Sequence, residues 1–455
     1  MKTQLLVLLM CATSISTFAQ FGSQQIITTN ADGARSVFAT DLDGDGDLDI
    51  LSVSVLDDTV AWYENTDGLG NFGPQQVITT NADGAVSVFA TDLDNDGDMD
   101  VLSVSQFDDT IAYYKNLSGG TFSAPVEIST NADGATSVYA IDLDGDNTIE
   151  ILSASKTDDK ISWYKSVNGS YIEKIISTNA DGATSVFAAD IDGDGDSDVL
   201  SASFADDKIA WYENTDGLGT FTNPEQVITT NADGANDVYA VDIDGDGDID
   251  VLSASQNDNT IAWYENTNGL GGFGAQQNIS TSALAMFSVY TTDLDNDGDM
   301  DVLSASPGDN KIAWYENLNG LGNFGAPQII TTNAISAASV YAADLDNDGD
   351  MDVLSASVGD DTIAWYENLN STLAIDENTL TDFSISPIPA NNTISVNSTF
   401  DIQQIHIYSN LGQLVLSNTN RNNIDISNLS QGLYFIKFED ENGSIGTSKI
   451  IKSDD

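Results

Sequence analysis

Asp41, Asp43, Asp45, Asp47 and Asp49 occupy alternate positions of the segment DLDGDGDLD. Carboxylates packed so closely repel one another unless they share a hard cation. In the pattern D-x-D-x-D-G-x-x-D, oxygens at the first, third and fifth positions converge as the chain curls around one point. Glycine at the sixth relieves the turn, the carbonyl of the seventh points inward, and the ninth carboxylate closes the shell. Six or seven oxygen donors suit calcium better than the stricter octahedron of magnesium. An EF-hand begins in the same way but needs Glu at its twelfth position and flanking helices. Here the twelfth residue is always serine (Ser52, Ser103, Ser153, Ser201, Ser253, Ser304 and Ser355), which excludes that reading.

The pattern is written seven times. Further copies are Asp92, Asp94, Asp96, Asp98 and Asp100; Asp142, Asp144, Asp146, Thr148 and Glu150; and Asp190, Asp192, Asp194, Asp196 and Asp198. The remaining copies are Asp242, Asp244, Asp246, Asp248 and Asp250; Asp293, Asp295, Asp297, Asp299 and Asp301; and Asp344, Asp346, Asp348, Asp350 and Asp352. Up to seven calcium ions are expected. The copy from Asp142 to Glu150, with Asn147 for the glycine, is expected to be weaker or empty. At five acids per loop, less Thr148, the loops hold 34 of the 72 Asp and Glu in a chain of net charge -59. Such a balance excludes binding to nucleic-acid phosphates, which needs a basic surface.

The chain has one cysteine, Cys11, inside the opening MKTQLLVLLMCATSISTFAQ. Lys2, the apolar stretch from Leu5 to Met10 and the small residues before Gln20 read as a signal peptide over 1–19. After its removal no disulfide is possible, so bound calcium is the expected staple, its binding energy adding to folding energy. No later apolar stretch is long enough to span a membrane.

The loops must be held by something regular. They start at Asp41, Asp92, Asp142, Asp190, Asp242, Asp293 and Asp344, giving spacings of 51, 50, 48, 52, 51 and 51 residues. Each unit contains four short runs rich in Val, Ile, Thr, Tyr and Phe, as in FGPQQVITT, SVFATDLD, DVLSVS and IAYYKN, separated by Asn, Asp and Gly turns. Four antiparallel strands per repeat of about fifty residues fit one blade of a β-propeller. The last WYEN, at Trp365 to Asn368, has no FGPQQVITT-like run after it, whereas the mature chain opens with the unpaired FGSQQIITT. The expected fold is therefore all-β: a seven-bladed β-propeller over 20–370, its last blade closed by the N-terminal strand. A linker over 371–382 and a small β-sandwich over 383–455 follow.

The loops, with FG and WYENxxGLGNFG around them, resemble the FG-GAP (VCBS-type) repeats of integrin-like seven-bladed propellers. That resemblance implies a calcium-binding propeller serving in adhesion or carbohydrate recognition, with a glycan or protein ligand on the face opposite the calcium loops. The tail segments SISPIPANNTISV, IHIYSNLGQLV, IDISNLSQGLYFIKF and SKIIK resemble the C-terminal sorting domain of the type IX secretion system. This implies export across the outer membrane to the cell surface, with the type IX machinery as partner.

Other residues admit two readings. Trp62, Trp163, Trp211, Trp263, Trp314, Trp365 and Tyr113 share one position in the repeat, as sugar-stacking platforms or, more commonly for one aromatic per blade, as packing between sheets. The NADGA and DDT turns are ligand contacts or simply good turns. The departures SALAM (Ser282 to Met286) and NAISA (Asn333 to Ala337) mark specificity or drift. Lys156, Lys160, Lys165 and Lys174 anchor an anion or offset local acid. With His406 as the only histidine and no mature cysteine, catalysis through a His-based triad is excluded from the propeller. The expected function is a non-catalytic binding module. The alternatives are a propeller enzyme acting on polysaccharide or ester through funnel acids, and a purely structural surface protein.

Overall fold

The structure, a computed structural model, describes residues 20–369, 383–386, 389–398, 402–409, 414–418, 424–440 and 445–453. The leader expected over 1–19 and the linker expected over 371–382 lie outside the described residues. The chain divides into two units, one through Thr372 and one from Leu373.

Alternation in the apolar runs decides which strand lies where. In the first repeat, β1 (Gln25–Thr28) is followed by β2 (Ala34–Thr40), β3 (Asp49–Ser54), β4 (Thr59–Tyr63) and β5 (Gln76–Thr79). β3 and β4 are buried at every position, whereas β2 is buried at alternate positions. A strand covered on both faces reads as a continuous apolar run, and one that lines a channel alternates. The four strands β2 to β5 form one antiparallel sheet, and five further blades repeat that order.

The seventh sheet is built differently. Ala337–Ala343, Asp352–Ser357 and Thr362–Tyr366 supply three strands, and β1 supplies the fourth, with Gln25 opposite Trp365 and Ile26 opposite Ala364. The N-terminal strand closes the ring, as its lack of a local partner requires.

Closure shows again in the channel. Phe38, Phe89, Tyr139, Phe187, Tyr239, Tyr290 and Tyr341, one per blade, touch in order with centroids 4.6 to 5.3 Å apart, and Phe38 meets Tyr341 at 5.0 Å. These tilted contacts are the geometry aromatic pairs prefer. They fill the channel with a continuous ring.

The cores lie between blades. Leu51, Val53, Val60 and Trp62 of the first blade pack with Ala85, Val88, Val101 and Tyr114 of the second. The six tryptophans are only 1 to 3% exposed, so they are packing groups and not sugar platforms. A Cβ at Gly70, Gly120, Gly219, Gly271 or Gly322 would lie within 2.4 Å of Cζ2 of Trp365, Trp62, Trp163, Trp211 or Trp263. Five tryptophans thus need a bare glycine in the next blade's outer loop, whereas Trp314 meets Phe21 edge-on at 6.4 Å. The third blade lacks that loop; its long hairpin, Lys160–Val167 with Ser170–Ser177, brings Tyr171 to Tyr113 at 5.8 Å.

The second unit has two antiparallel arrangements. Phe383–Ser386, Thr393–Ser398 and Ile424–Asp425 pair in one; Ile402–Ser409, Leu414–Asn418, Gly432–Asp440 and Ile445–Lys452 pair in the other. They share a core of Ile394, Val396, Ile405, Ile407, Ile436 and Phe438. Among the described residues no helix is long and apolar enough to cross a membrane.

Gly119 and Gly120 both take positive φ, but a Cβ at Gly119 meets nothing within 4 Å whereas one at Gly120 lies 2.2 Å from Trp62 Cζ2. Gly119→Ala should therefore cost about 1–2 kcal/mol of backbone strain. Gly120→Ala should cost about 1–3 kcal/mol more from overpacking. Denaturant midpoints of the two variants, compared with the parent, check the difference.

Candidate metal centre

Each acidic loop joins the first two strands of its blade and is organised by its own backbone. The first carboxylate takes the sixth residue's N–H: Asp41 from Gly46 at 3.0 Å, Asp142 from Asn147 at 2.9 Å, Asp344 from Gly349 at 3.1 Å. The fifth takes the seventh residue's N–H, as in Asp45 from Asp47 at 3.0 Å. The curl needs two left-handed residues per loop. The sixth is glycine at φ 94° to 99° in six copies and Asn147 at φ 65° in the third. The fourth, Gly44, Asn95, Gly145, Gly193, Gly245, Asn296 or Asn347, also has positive φ. Asn tolerates this conformation better than other side chains. That restriction to Gly or Asn was readable in the sequence and was missed there.

The curl brings the first three carboxylates together. Asp41, Asp43 and Asp45 place one oxygen each within 4.8 Å of one another, as do Asp92, Asp94 and Asp96; Asp142, Asp144 and Asp146; Asp190, Asp192 and Asp194; and Asp242, Asp244 and Asp246. Asp190 Oδ1 and Asp244 Oδ1 are buried without a hydrogen-bond donor. Oxygens held out of water with no donor fit a hard divalent cation. The seventh side chain, in contrast, turns away: Asp47 lies against Gly68 and accepts from Asn347 Nδ2 at 3.2 Å.

The ninth carboxylate is not part of these triads. Asp49 is fully buried, with Oδ2 accepting from Leu42 N at 2.9 Å and Oδ1 from Asn65 N at 2.8 Å. Asp100, Asp198, Asp250, Asp301 and Asp352 repeat both bonds. Each oxygen keeps a second lone pair for an ion, but its first task is to tie the loop to the end of the blade's third strand. The asparagine then reaches further: Asn65 Nδ2 donates to Leu345 O in the seventh blade, and Asn116 Nδ2 to Leu42 O in the first. Asn214, Asn266, Asn317 and Asn368 do the same. Ser166 stands at this position in the third blade. The loops are therefore joints between blades as well as clusters of converging carboxylates.

Two loops hold a side-chain cation. Lys115 Nζ pairs with Asp94 and, at 3.0 Å, with Asp96. Lys165 Nζ pairs with Asp144, lies 2.6 Å from Asp146 and 3.8 Å from Glu150. The Lys165 ammonium holds the Asp146 carboxyl down to about 2. The other five blades carry Glu64, Glu213, Glu265, Glu316 and Glu367 at this position; the third carboxylate of each loop is raised by burial first, then by its loop neighbour, with the glutamate adding to the shift. Sequence reasoning noticed the lysines of the third repeat but not that one of them enters the acid cluster, and it missed Lys115. The four lysines do not converge: Lys160 pairs with Asp158 and Glu173, and Lys174 lies over Trp163 at 4.1 Å.

The turns on the other face also link blades. Asp58 Oδ1 accepts from Gly84 N at 2.9 Å, and Asp361 Oδ1 closes the circle with Gly33 N at 2.9 Å. In SALAM and NAISA, Ala285 and Ser336 take positive φ where the other blades have glycine, and their partners are Asn259 and Asn310.

Burial pushes the closing carboxyls Asp49, Asp198, Asp250 and Asp301 up to about 7 from an ordinary 3.8, against the pull of their two N–H donors. Between those values the folded chain binds more protons than the unfolded chain, so its stability falls as pH rises. In metal-free buffer the melting temperature should decline from about pH 4 to about pH 7, which a pH series of thermal melts in chelator checks.

The FG-GAP-like repeat family matches residues 41–103, 92–153, 142–201, 192–253, 242–304 and 293–355. Each window runs from one acidic loop through the next, so six windows span seven loops. The secretion system C-terminal sorting domain matches 384–453. No curated protein matches the chain. Among solved structures, the crystal structure of BBS1N in complex with ARL6DN, soaked with mercury, is similar with a TM-score of 0.55 and 11% identity. The match covers 77% of this chain and 97% of that one, a likeness of fold alone. Taken with the seven-bladed ring and its acidic loop in every blade, these matches show that the chain belongs to the FG-GAP-like repeat family and carries a type IX sorting domain that directs it to the cell surface or beyond.

Proposed function

We infer that this exported propeller is a calcium-stapled, non-catalytic binding module, whose loops take up calcium as the blades lock and whose opposite face meets a glycan or protein. The carrying observation is the convergence of three carboxylates per loop, with buried Asp190 and Asp244 oxygens lacking donors. Calcium would be held by the first, third, fifth and ninth carboxylates and the seventh carbonyl, and would supply the charge that offsets their repulsion. Glu64 and its four counterparts stand where a sixth oxygen group is useful. Lys115 and Lys165 already bring a positive charge into the second and third loops. The non-catalytic part is supported by His406 lying in the tail and by a channel filled with aromatic rings.

Elemental analysis of protein equilibrated with excess calcium should find about five ions per chain, rising when Lys165→Glu and Lys115→Glu are combined. Chelation should lower the melting temperature sharply at neutral pH, and Asp246→Ala should lower it less, since one site is lost. Equal melting in calcium and chelator would overturn the staple. Calcium-loaded protein on glycan and protein arrays tests the binding role, and hydrolase or lyase turnover lost on mutating channel acids would overturn the non-catalytic reading.

A further inference from the structure

The propeller carries eight Lys and Arg among its many acids. Five of them, Lys115, Lys160, Lys165, Lys208 and Lys311, are ion-paired. Among the described residues, Arg35, Lys156 and Lys174 have no acidic partner, and Lys174 stands apart over the Trp163 ring. The Arg35 guanidinium lies over the Phe287 ring at 4.1 Å, and Lys156 Nζ over the Phe204 ring at 4.8 Å. Both line one cavity of about 260 Å³ at the channel mouth, on the face away from the acidic loops. In so acidic a chain, two cations without carboxylates at one opening are a feature to explain.

The backbone builds this mouth deliberately. Between Ala34 and Ser36 the pairing of β2 with β3 slips by one residue, and the same bulge recurs in five other blades. A bulge re-aims the side chain it frees. Two successive residues per blade, not alternate ones, therefore face the opening. The inner of the two is serine in six blades and Asp237 in one; Ser87 and Ser137 accept N–H groups from the next blade and keep their own protons to donate. The bulged residue, in contrast, changes from blade to blade: Arg35, Val86, Thr136, Thr184, Asn236, and Phe287 at the unbulged sixth. Ala338 in the seventh blade is small where Arg35 reaches across to Phe287. In repeats whose central strand barely varies, this change is confined to positions that share one opening.

The one acid in the mouth is already occupied. Asp237 accepts from Ser185 Oγ at 2.9 Å, from its neighbour Val238 N at 3.0 Å and from Val289 N at 3.0 Å. Arg35 and Lys156 are therefore free to meet a ligand, with Gln106, Gln256 and the serine hydroxyls beside them. The cavity's volume lies just below the usual range of about 300–1,000 Å³ for drug-sized ligands, which leaves room for one ring. A guanidinium fork matches a carboxylate with two parallel hydrogen bonds, and amides and hydroxyls match sugar hydroxyls.

We propose that the channel mouth binds a single acidic sugar, its carboxylate held by Arg35 and Lys156 and its hydroxyls by Gln106, Gln256 and the serine ring. This rests on the binding-module reading and names its ligand class. The sugar is either free or the end residue of a polysaccharide.

The test is calorimetric titration of the calcium-loaded full chain with glucuronate, a short oligoglucuronate, glucose and an acidic peptide. Uronate should bind, glucose should not, and added salt should weaken the complex. Arg35→Gln and Lys156→Gln should each lower affinity by about tenfold or more, the loss of a charge-assisted hydrogen bond, with unchanged melting temperature. Lys156 is exposed, so its variant remains informative should Arg35→Gln fail to fold. Binding of monomer and oligomer alike supports an end residue as ligand; binding of the monomer alone supports a free sugar. No uronate binding, uronate binding equal in both variants, or binding of the acidic peptide alone overturns the assignment. If arrays find another ligand while the mouth stays empty, the binding-module reading stands and only the acidic-sugar site falls.

Discussion

The buried carboxylate that ends each acidic loop is the constraint on which the propeller depends. Asp49 and its five aspartate equivalents each receive one N–H from the start of their loop and one from the end of the blade's third strand. That fixes the loop's curl and the position of the following asparagine together. Asn65 can then donate to the carbonyl of the preceding blade's loop. Burying a carboxylate costs less when both oxygens are hydrogen-bonded and its charge is offset or protonated, so the geometry of the disc is tied to the charge state of these loops.

The two faces share the work of closing the ring differently. On the loop face, six asparagines bridge neighbours and the third blade, with Ser166, is the exception. On the other face, Asp or Asn side chains at the strand turns hold the next blade's amides all the way round. Between the faces, tryptophan on glycine and aromatic on aromatic fill the space. The third blade also lacks the glycine loop that covers a tryptophan, and there Tyr113 and Tyr171 fill it instead. One repeat therefore departs in its loop, its strap and its packing partner at once. Lys165 belongs to the same departure, because it puts an ammonium beside a loop whose glycine has become Asn147.

The sequence by itself determined the seven blades, the strand exchange and the acidic triads. Each follows from local spacing: alternation sets strand faces, the 51-residue period sets the blade, and carboxylates two residues apart on a tight curl must converge. Only the tertiary structure decided what lies between blades. Lys115 in the second loop, Asn65 on the seventh blade's carbonyl and Trp62 on Gly120 join residues that no local pattern connects. The channel mouth is the clearest case. Arg35 and Phe287 are far apart in sequence, and they meet because a bulge turns one inward and closure of the ring brings the first and sixth blades to the same axis. Period and pattern act along the chain, whereas that encounter depends on the curvature of the whole disc.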